Sequence, residues 1–166
     1  MEVLRYGKIA GNERPIPLAM TDSEVVNLRS GRFVSRNAST GKGEIADTTD
    51  DLIGWVEPDG ASIADNYQTT DDSTLPMLIG LDSVFRLPLA YDASTYTVNY
   101  AQTIFFEECD LVVDSNVQYA NPTVATNKSI IIVGGQAAAA STLSNTDGFI
   151  DAIINPNSRL DLGVGA

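Results

Sequence analysis

Apolar residues along this chain fall in short runs, rich in β-branched or aromatic side chains and closed off by Gly, Asn, Asp or Pro. Runs of that kind predict strands. The first half offers Val3–Ile9, Ile16–Met20, Glu24–Leu28, Arg32–Ser35, Lys42–Ala46 and Leu52–Val56. The second half offers Pro76–Leu81, Ser83–Leu89, Tyr96–Tyr100, Asp110–Val113, Val117–Ala120, Ser129–Val133, Phe149–Ile154 and Arg159–Val164. Tyr96-Thr97-Val98-Asn99-Tyr100 alternates, as a half-buried strand should. Ile130-Ile131-Ile132-Val133 is continuous and predicts a central strand covered on both faces. Strands recurring every roughly 8–12 residues argue for an all-β fold, a compact barrel or sandwich. Phe33, Ile53, Trp55, Leu78, Phe85, Val98, Ile131 and Val133 are the expected core.

The connectors are polar. Asn37-Ala38-Ser39-Thr40-Gly41 predicts a hairpin turn, with Gly41 free to take a positive φ. Glu57-Pro58-Asp59-Gly60 predicts a second turn. Ala64–Ser73, with three Asp, predicts a mobile surface loop. Gln136–Ser141 contains four alanines and is compatible with a short helix or with coil.

At 166 residues and 43% hydrophobic, the chain suits one domain with a real core. No apolar run approaches roughly 18 residues, and the start, Met1-Glu2-Val3-Leu4-Arg5-Tyr6, lacks an apolar leader core, so neither a membrane span nor a secretory signal is expected. Charge divides the chain more sharply than hydropathy does. Residues 1–42 hold seven of the ten basic residues against four acids, a net +3, while the remainder is −15. So acidic a body disfavours nucleic acid as a partner. The expected organisation is an N-terminal strand or arm over residues 1–22 and a β-barrel-like body over 23–166. Leu4, Arg5, Tyr6, Lys8, Ile9 and Arg14 form the candidate interface: apolar residues to anchor, cations to steer towards acidic groups. The competing reading makes the same segment the first strand of the chain's own sheet.

The candidate chemistry is thin. There is no histidine and one cysteine, which removes Ser-His and Cys-His catalysis, His-ligated zinc and any intrachain disulfide. Ser39-Thr40-Gly41-Lys42 has the S-x-x-K spacing of serine acyl-enzymes but lies in a predicted turn and lacks its partner motifs. Gly41-Lys42 fails as a phosphate loop, because Arg36 and Gly43 occupy its flanking positions. Asn145–Asp151 resembles the middle of a calcium loop, yet Leu143 and Ile154 stand at two ligand positions. The acids Asp50-Asp51, Asp71-Asp72 and Glu107-Glu108-Asp110 read as solvated surface, and Cys109 among them as a small core residue of raised pKa. The sequons at Asn37 and Asn127 carry no weight outside a secretory context. No catalytic residue, metal or cofactor is expected, and the chain is read as no enzyme.

Gly31-Arg32-Phe33-Val34-Ser35, Gly41-Lys42-Gly43-Glu44-Ile45-Ala46, Leu52-Ile53-Gly54-Trp55-Val56 and Val84-Phe85-Arg86-Leu87-Pro88-Leu89 follow one another in a rhythm. That order resembles the small β-barrel decoration, or cement, proteins on the heads of tailed bacteriophages. The resemblance spans most of residues 23–120; Ala64–Ser73 and Gln136–Ser141 have no counterpart in it. It implies an all-β oligomer, usually a trimer, that assembles in the host cytoplasm. Such a protein sits on the outer surface of the virion head, binds the major capsid protein and bridges capsomers. Two other classes stay open. One is a tail, baseplate or receptor-binding β-module contacting a glycan through Tyr91, Tyr96 or Trp55. The other is an acid-using hydrolase built on Glu107 or Glu108.

Overall fold

The computed structural model describes residues 7–11, 15–27, 31–56, 66–70, 73–78, 83–88, 105–114, 117–121, 125–136 and 148–158. Over these residues the chain is all-β: two antiparallel sheets pack face to face as a sandwich. Thirteen strands are formed, with one 3-10 turn at Pro156–Ser158 and no α-helix among the described residues. In chain order the first six are β1 (Gly7–Ala10), β2 (Ile16–Ala19), β3 (Val25–Asn27), β4 (Arg32–Arg36), β5 (Gly43–Ile45) and β6 (Gly54–Val56). There follow β7 (Asn66–Gln68), β8 (Thr74–Leu78), β9 (Val84–Pro88), β10 (Glu108–Asp114), β11 (Val117–Asn121), β12 (Ile130–Gln136) and β13 (Phe149–Ile154).

One sheet runs β1-β9-β13-β12-β10-β11, the other β2-β8-β6-β4-β5, and β3 pairs with β7 as a separate ribbon. Within segment 1–22, β1 therefore joins one sheet and β2 the other. The predicted strand at Tyr96–Tyr100, with Val98 in the expected core, lies outside the described residues, as do Arg159–Val164, the Glu57–Gly60 turn and Ala137–Ser141. Part of the expected surface loop Ala64–Ser73 is instead β7, and Thr69 just after it is buried. Its Oγ1 accepts from the Glu24 amide at 2.9 Å and donates to the Thr21 carbonyl, which a chain of Thr and Asn can do as well in a ribbon as in a loop.

Alternation sorts the side chains. Phe33 of β4, Trp55 of β6 and Leu78 of β8 face the six-stranded sheet, and they meet Phe85, Leu87, Leu111, Ile130, Ile132, Ile150 and Ile154. Phe33, Trp55 and Phe85 form a triangle of rings with centroids 4.8, 5.1 and 4.9 Å apart, two pairs edge-on and one tilted. Edge-on pairs place a positive ring rim on a negative ring face, which adds to the burial of large apolar surface. On the other face of the five-stranded sheet, Val34, Val56, Leu75 and Met77 form a second apolar layer with Met20 and Ile53. Ile53 thus belongs to this outer layer, not to the central core.

Two expectations about β12 are corrected. It is interior in its sheet, between β13 and β10, but it is not covered on both faces. Ile130 and Ile132 are buried, whereas Ile131 and Val133 are half-buried on the outer face. A continuous apolar run hides its own parity, and a bulge between Ile132 and Gly134 shifts the pairing with β13 as well.

Gly31 sets how close β4 approaches β6. Its φ is +64°, and a Cβ there would lie 2.5 Å from Trp55 Nε1 and 2.6 Å from the Val56 carbonyl oxygen. Any side chain would push against the tryptophan at the centre of the core.

Denaturant unfolding tests the facing of β12. Ile132→Ala should lose roughly 2–5 kcal/mol, the range for emptying a filled core site. Ile131→Ala should lose less than about half as much, because its methyls already meet solvent. Equal losses at the two positions would contradict the parity.

Candidate functional site

A sheet edge can accept a partner's strand, and the two large sheets end in β2, β5, β1 and β11. β5, at one end of the five-stranded sheet, is covered by the chain's own 20–24 segment. Met20 bridges Gly43, the Thr21 amide donates to the Gly43 carbonyl at 2.8 Å, and Glu24 Oε2 accepts from the Ile45 amide at 2.9 Å. β2, at the other end, carries Pro17 opposite Pro76 of β8, flanked by Pro15. Proline donates no amide, so this edge is blunted. In the six-stranded sheet, the terminal strands β1 and β11 have no further strand on their outer sides among the described residues, and the Gln118 side chain braces β11 to the opposing sheet.

β1 pairs with β9 through Gly7↔Arg86, Lys8↔Phe85 and Ala10↔Val84, with a bulge that leaves Ile9 without a partner residue. Ile9 is 42% exposed and Ala10 is exposed, while Lys8 is half-buried. Over Gly7–Ala10 the segment is therefore a strand of its own sheet, not an arm leaving the body. Lys8 and Ile9 come together at an open edge, and a contact there would use the strand's outer side. Leu4, Arg5, Tyr6 and Arg14 lie outside the described residues. Arg32 is counted among the N-terminal cations but is not at the surface. The residue is 4% exposed, its guanidinium donates through Nη1 to the Gly31 carbonyl at 2.8 Å, and its pKa is pulled down to about 10 by burial, with Tyr119 acting in the opposite direction. One of the seven N-terminal cations is thus a core residue.

The other polar candidates serve the scaffold. Gln118 is buried, accepts from the Phe33 amide at 2.7 Å, and donates to the carbonyls of Phe33 at 3.0 Å and Ala46 at 2.9 Å. It saturates an amide side chain on the main chain of the facing sheet. Asp110 is also buried; Oδ1 accepts from the amides of Asn127 and Lys128 at 2.8 Å each, and Oδ2 from Thr126 at 3.1 Å. Lys128, at φ +54°, wraps the loop around that carboxylate. Asn37 organises the β4–β5 turn, its Oδ1 accepting from the amides of Ser39 and Thr40, and Gly41 sits at φ +72°. Ser39-Thr40-Gly41-Lys42 is therefore hairpin turn, as the spacing of turn residues predicts.

Glu107-Glu108-Asp110 does not assemble a carboxylate pair facing a cleft. Glu107 is exposed, Asp110 is enclosed by amides, and Glu108 is engaged twice. Lys128 Nζ approaches Glu108 Oε2 at 2.9 Å, and Asn155 Nδ2 donates to Oε1 at 3.0 Å. Those two hydrogen bonds, Lys128's first, hold the Glu108 carboxyl below the usual glutamate range; the same contact raises Lys128. Across β9 and β13, Arg86 binds Asp151 with two hydrogen bonds of 2.7 and 2.9 Å and lies over the Phe149 ring at 3.7 Å. Asp151 of the half calcium loop is thereby engaged by a cation, and Asn145–Asp147 lie outside the described residues.

Cys109 is buried, its thiol pushed up to about 12 by burial and then by the Asp110 charge. Trp55, at 1% exposure, has no face to offer a sugar; Tyr91 and Tyr96 lie outside the described residues. Among the described residues no three of His, Cys, Asp and Glu gather as a metal set, and no helix is long and apolar enough to cross a membrane. The sequence reading missed Phe105 and Phe106, which are exposed at the entry to β10. Comparisons with protein-family models, curated proteins and solved structures return no match for this chain.

Glu108 makes a signed prediction. A carboxyl whose folded pKa is depressed adds stability that is present above the unfolded glutamate value and lost as pH falls through the folded one. Glu108→Gln should therefore make the acid side of the stability–pH curve shallower than in wild type. An unchanged slope, followed by thermal melting across the acid range, would show that the Lys128 contact contributes nothing.

Proposed function

We propose that this chain is a structural particle protein of the decoration, or cement, type, which binds the outside of a viral head shell and bridges capsomers. The observation that carries the reading is the inventory of edges. Among the described residues, the five-stranded sheet is blunted at β2 by prolines and covered at β5 by the chain's own 20–24 segment, while β1, an end of the six-stranded sheet, has no strand on its outer side and carries Lys8 beside exposed Ile9. An open edge with one apolar anchor and one cation offers main-chain hydrogen bonds to a neighbouring subunit and attraction to acidic groups. The buried polar groups support the same reading, since Gln118, Asp110 and Asn155 brace the fold instead of converging on a substrate.

The partners in this reading are the major capsid protein and further copies of the chain. The test uses empty shells assembled from the major capsid protein encoded by the same genome. Wild-type protein should cosediment with them to a fixed stoichiometry, more weakly as salt rises. Ile9→Asp, at an exposed position, should leave the melting temperature within a few degrees and cut shell binding by at least about tenfold, a loss of about 1.4 kcal/mol. Failure of wild type to bind shells, together with binding to the host cell surface, would replace this reading with the tail or receptor-binding one.

A further inference from the structure

The fold has no evident need of the aromatic pair at the entry to β10. Phe105 and Phe106 are 42% and 67% exposed, and their rings meet at a tilt of 60° with centroids 4.2 Å apart. Phe106 has φ +66°, in the left-handed region that glycine enters freely and a bulky side chain enters at a cost. The strained turn is also held rigidly. The Phe106 amide donates to the Ile132 carbonyl at 2.8 Å, and the Ile132 amide donates to the Glu107 carbonyl at 3.0 Å. A costly backbone that presents two large rings to solvent gains little from packing within the chain, and such outliers collect at functional positions.

Charge decides what would cover the rings. Glu107 is exposed next to them, and no cation pairs with it among the described residues. The body from residue 43 onward is −15. A second copy seated here in a symmetric contact would set acid against acid. The complement is an apolar recess bordered by Lys or Arg on a different protein.

We propose that Phe105 and Phe106, with Glu107, form an anchor that inserts into an apolar, basic-rimmed recess of the shell protein. The assignment rests on the reading of the chain as a shell-binding protein and gives it a second contact. β1 and β10 are separated in their sheet by β9, β13 and β12, so the anchor lies roughly 19 Å across the sheet from the β1 edge at ordinary strand spacing. Two contacts so separated let one copy touch two neighbouring shell subunits.

The experiment compares wild type, F106G, F105S/F106G and Glu107→Lys for binding to the same empty shells, with melting and sedimentation velocity for each. F106G should melt at or above the wild-type temperature, because glycine suits that backbone. F106G should nevertheless weaken shell binding, and the double variant should weaken it by tenfold or more. Glu107→Lys should weaken it too and reduce its salt dependence. Wild-type binding that survives F105S/F106G unchanged overturns the anchor while leaving the shell-binding reading in place. A clear drop in the melting temperature of F106G assigns the pair to the fold and overturns it as well. Conversion of a wild-type oligomer to monomer by these variants would assign the rings to a second copy instead. Wild type that ignores shells overturns the parent reading and the anchor together.

Discussion

The meeting of Phe33, Trp55 and Phe85 is the contact on which the two sheets depend. Phe33 and Trp55 are register partners on β4 and β6, so one sheet presents them side by side, and Phe85 arrives between them from the other sheet. Three rings within about 5 Å of each other leave little freedom in how the sheets are spaced or rotated. Gly31 is the corollary on the main chain, since only a residue without a side chain lets β4 pass so near the indole. Gln118 does the corresponding work in polar terms, holding the main chain of Phe33 itself from β11.

The distribution of polar groups follows from that packing. A sandwich of short strands ends in many loops, and each loop presents amides that need acceptors when buried. Asp110 gathers three of them, and Asn155 joins Glu108 to the Lys128 carbonyl. Thr48 ties the loop after β5 to β10 and to Asn127. Residue types that suggest catalysis in a list are here the fasteners of a loop-rich fold.

Much of the strand order was legible from composition and punctuation. Phe149–Ile154 is predicted to the residue, and β4, β6, β9 and β11 lie within or almost within their predicted bounds. β7 was not legible, because Asn66-Tyr67-Gln68 has no apolar run and forms a strand only by pairing with β3. The facing of Ile130–Val133 was not legible either, since four aliphatics in a row fit both parities. Arg32 stands in a predicted strand, but nothing in the sequence marks it as a cation that tertiary packing buries. Of the expected interface residues, Lys8 and Ile9 do share one edge, but alternation could not tell a strand of the chain's own sheet from an extended arm. Phe105-Phe106 was visible as a doublet, but its left-handed turn is imposed by β12 from a distant part of the chain.

The position of β13 bears on how the protein is made. It is the last strand described, yet it lies between β9 and β12, and β9 in turn holds β1. On the ribosome, the five-stranded sheet has all its strands once β8 is out, but the six-stranded sheet cannot close until Phe149–Ile154 follows. Until then β9 and β12 each have one unpaired side, and both carry aliphatic side chains. A nascent chain stalled before that point would present two sticky ribbons to its neighbours. Interleaving of early and late strands makes closure of the six-stranded sheet a late event, and it adds a risk of aggregation during synthesis.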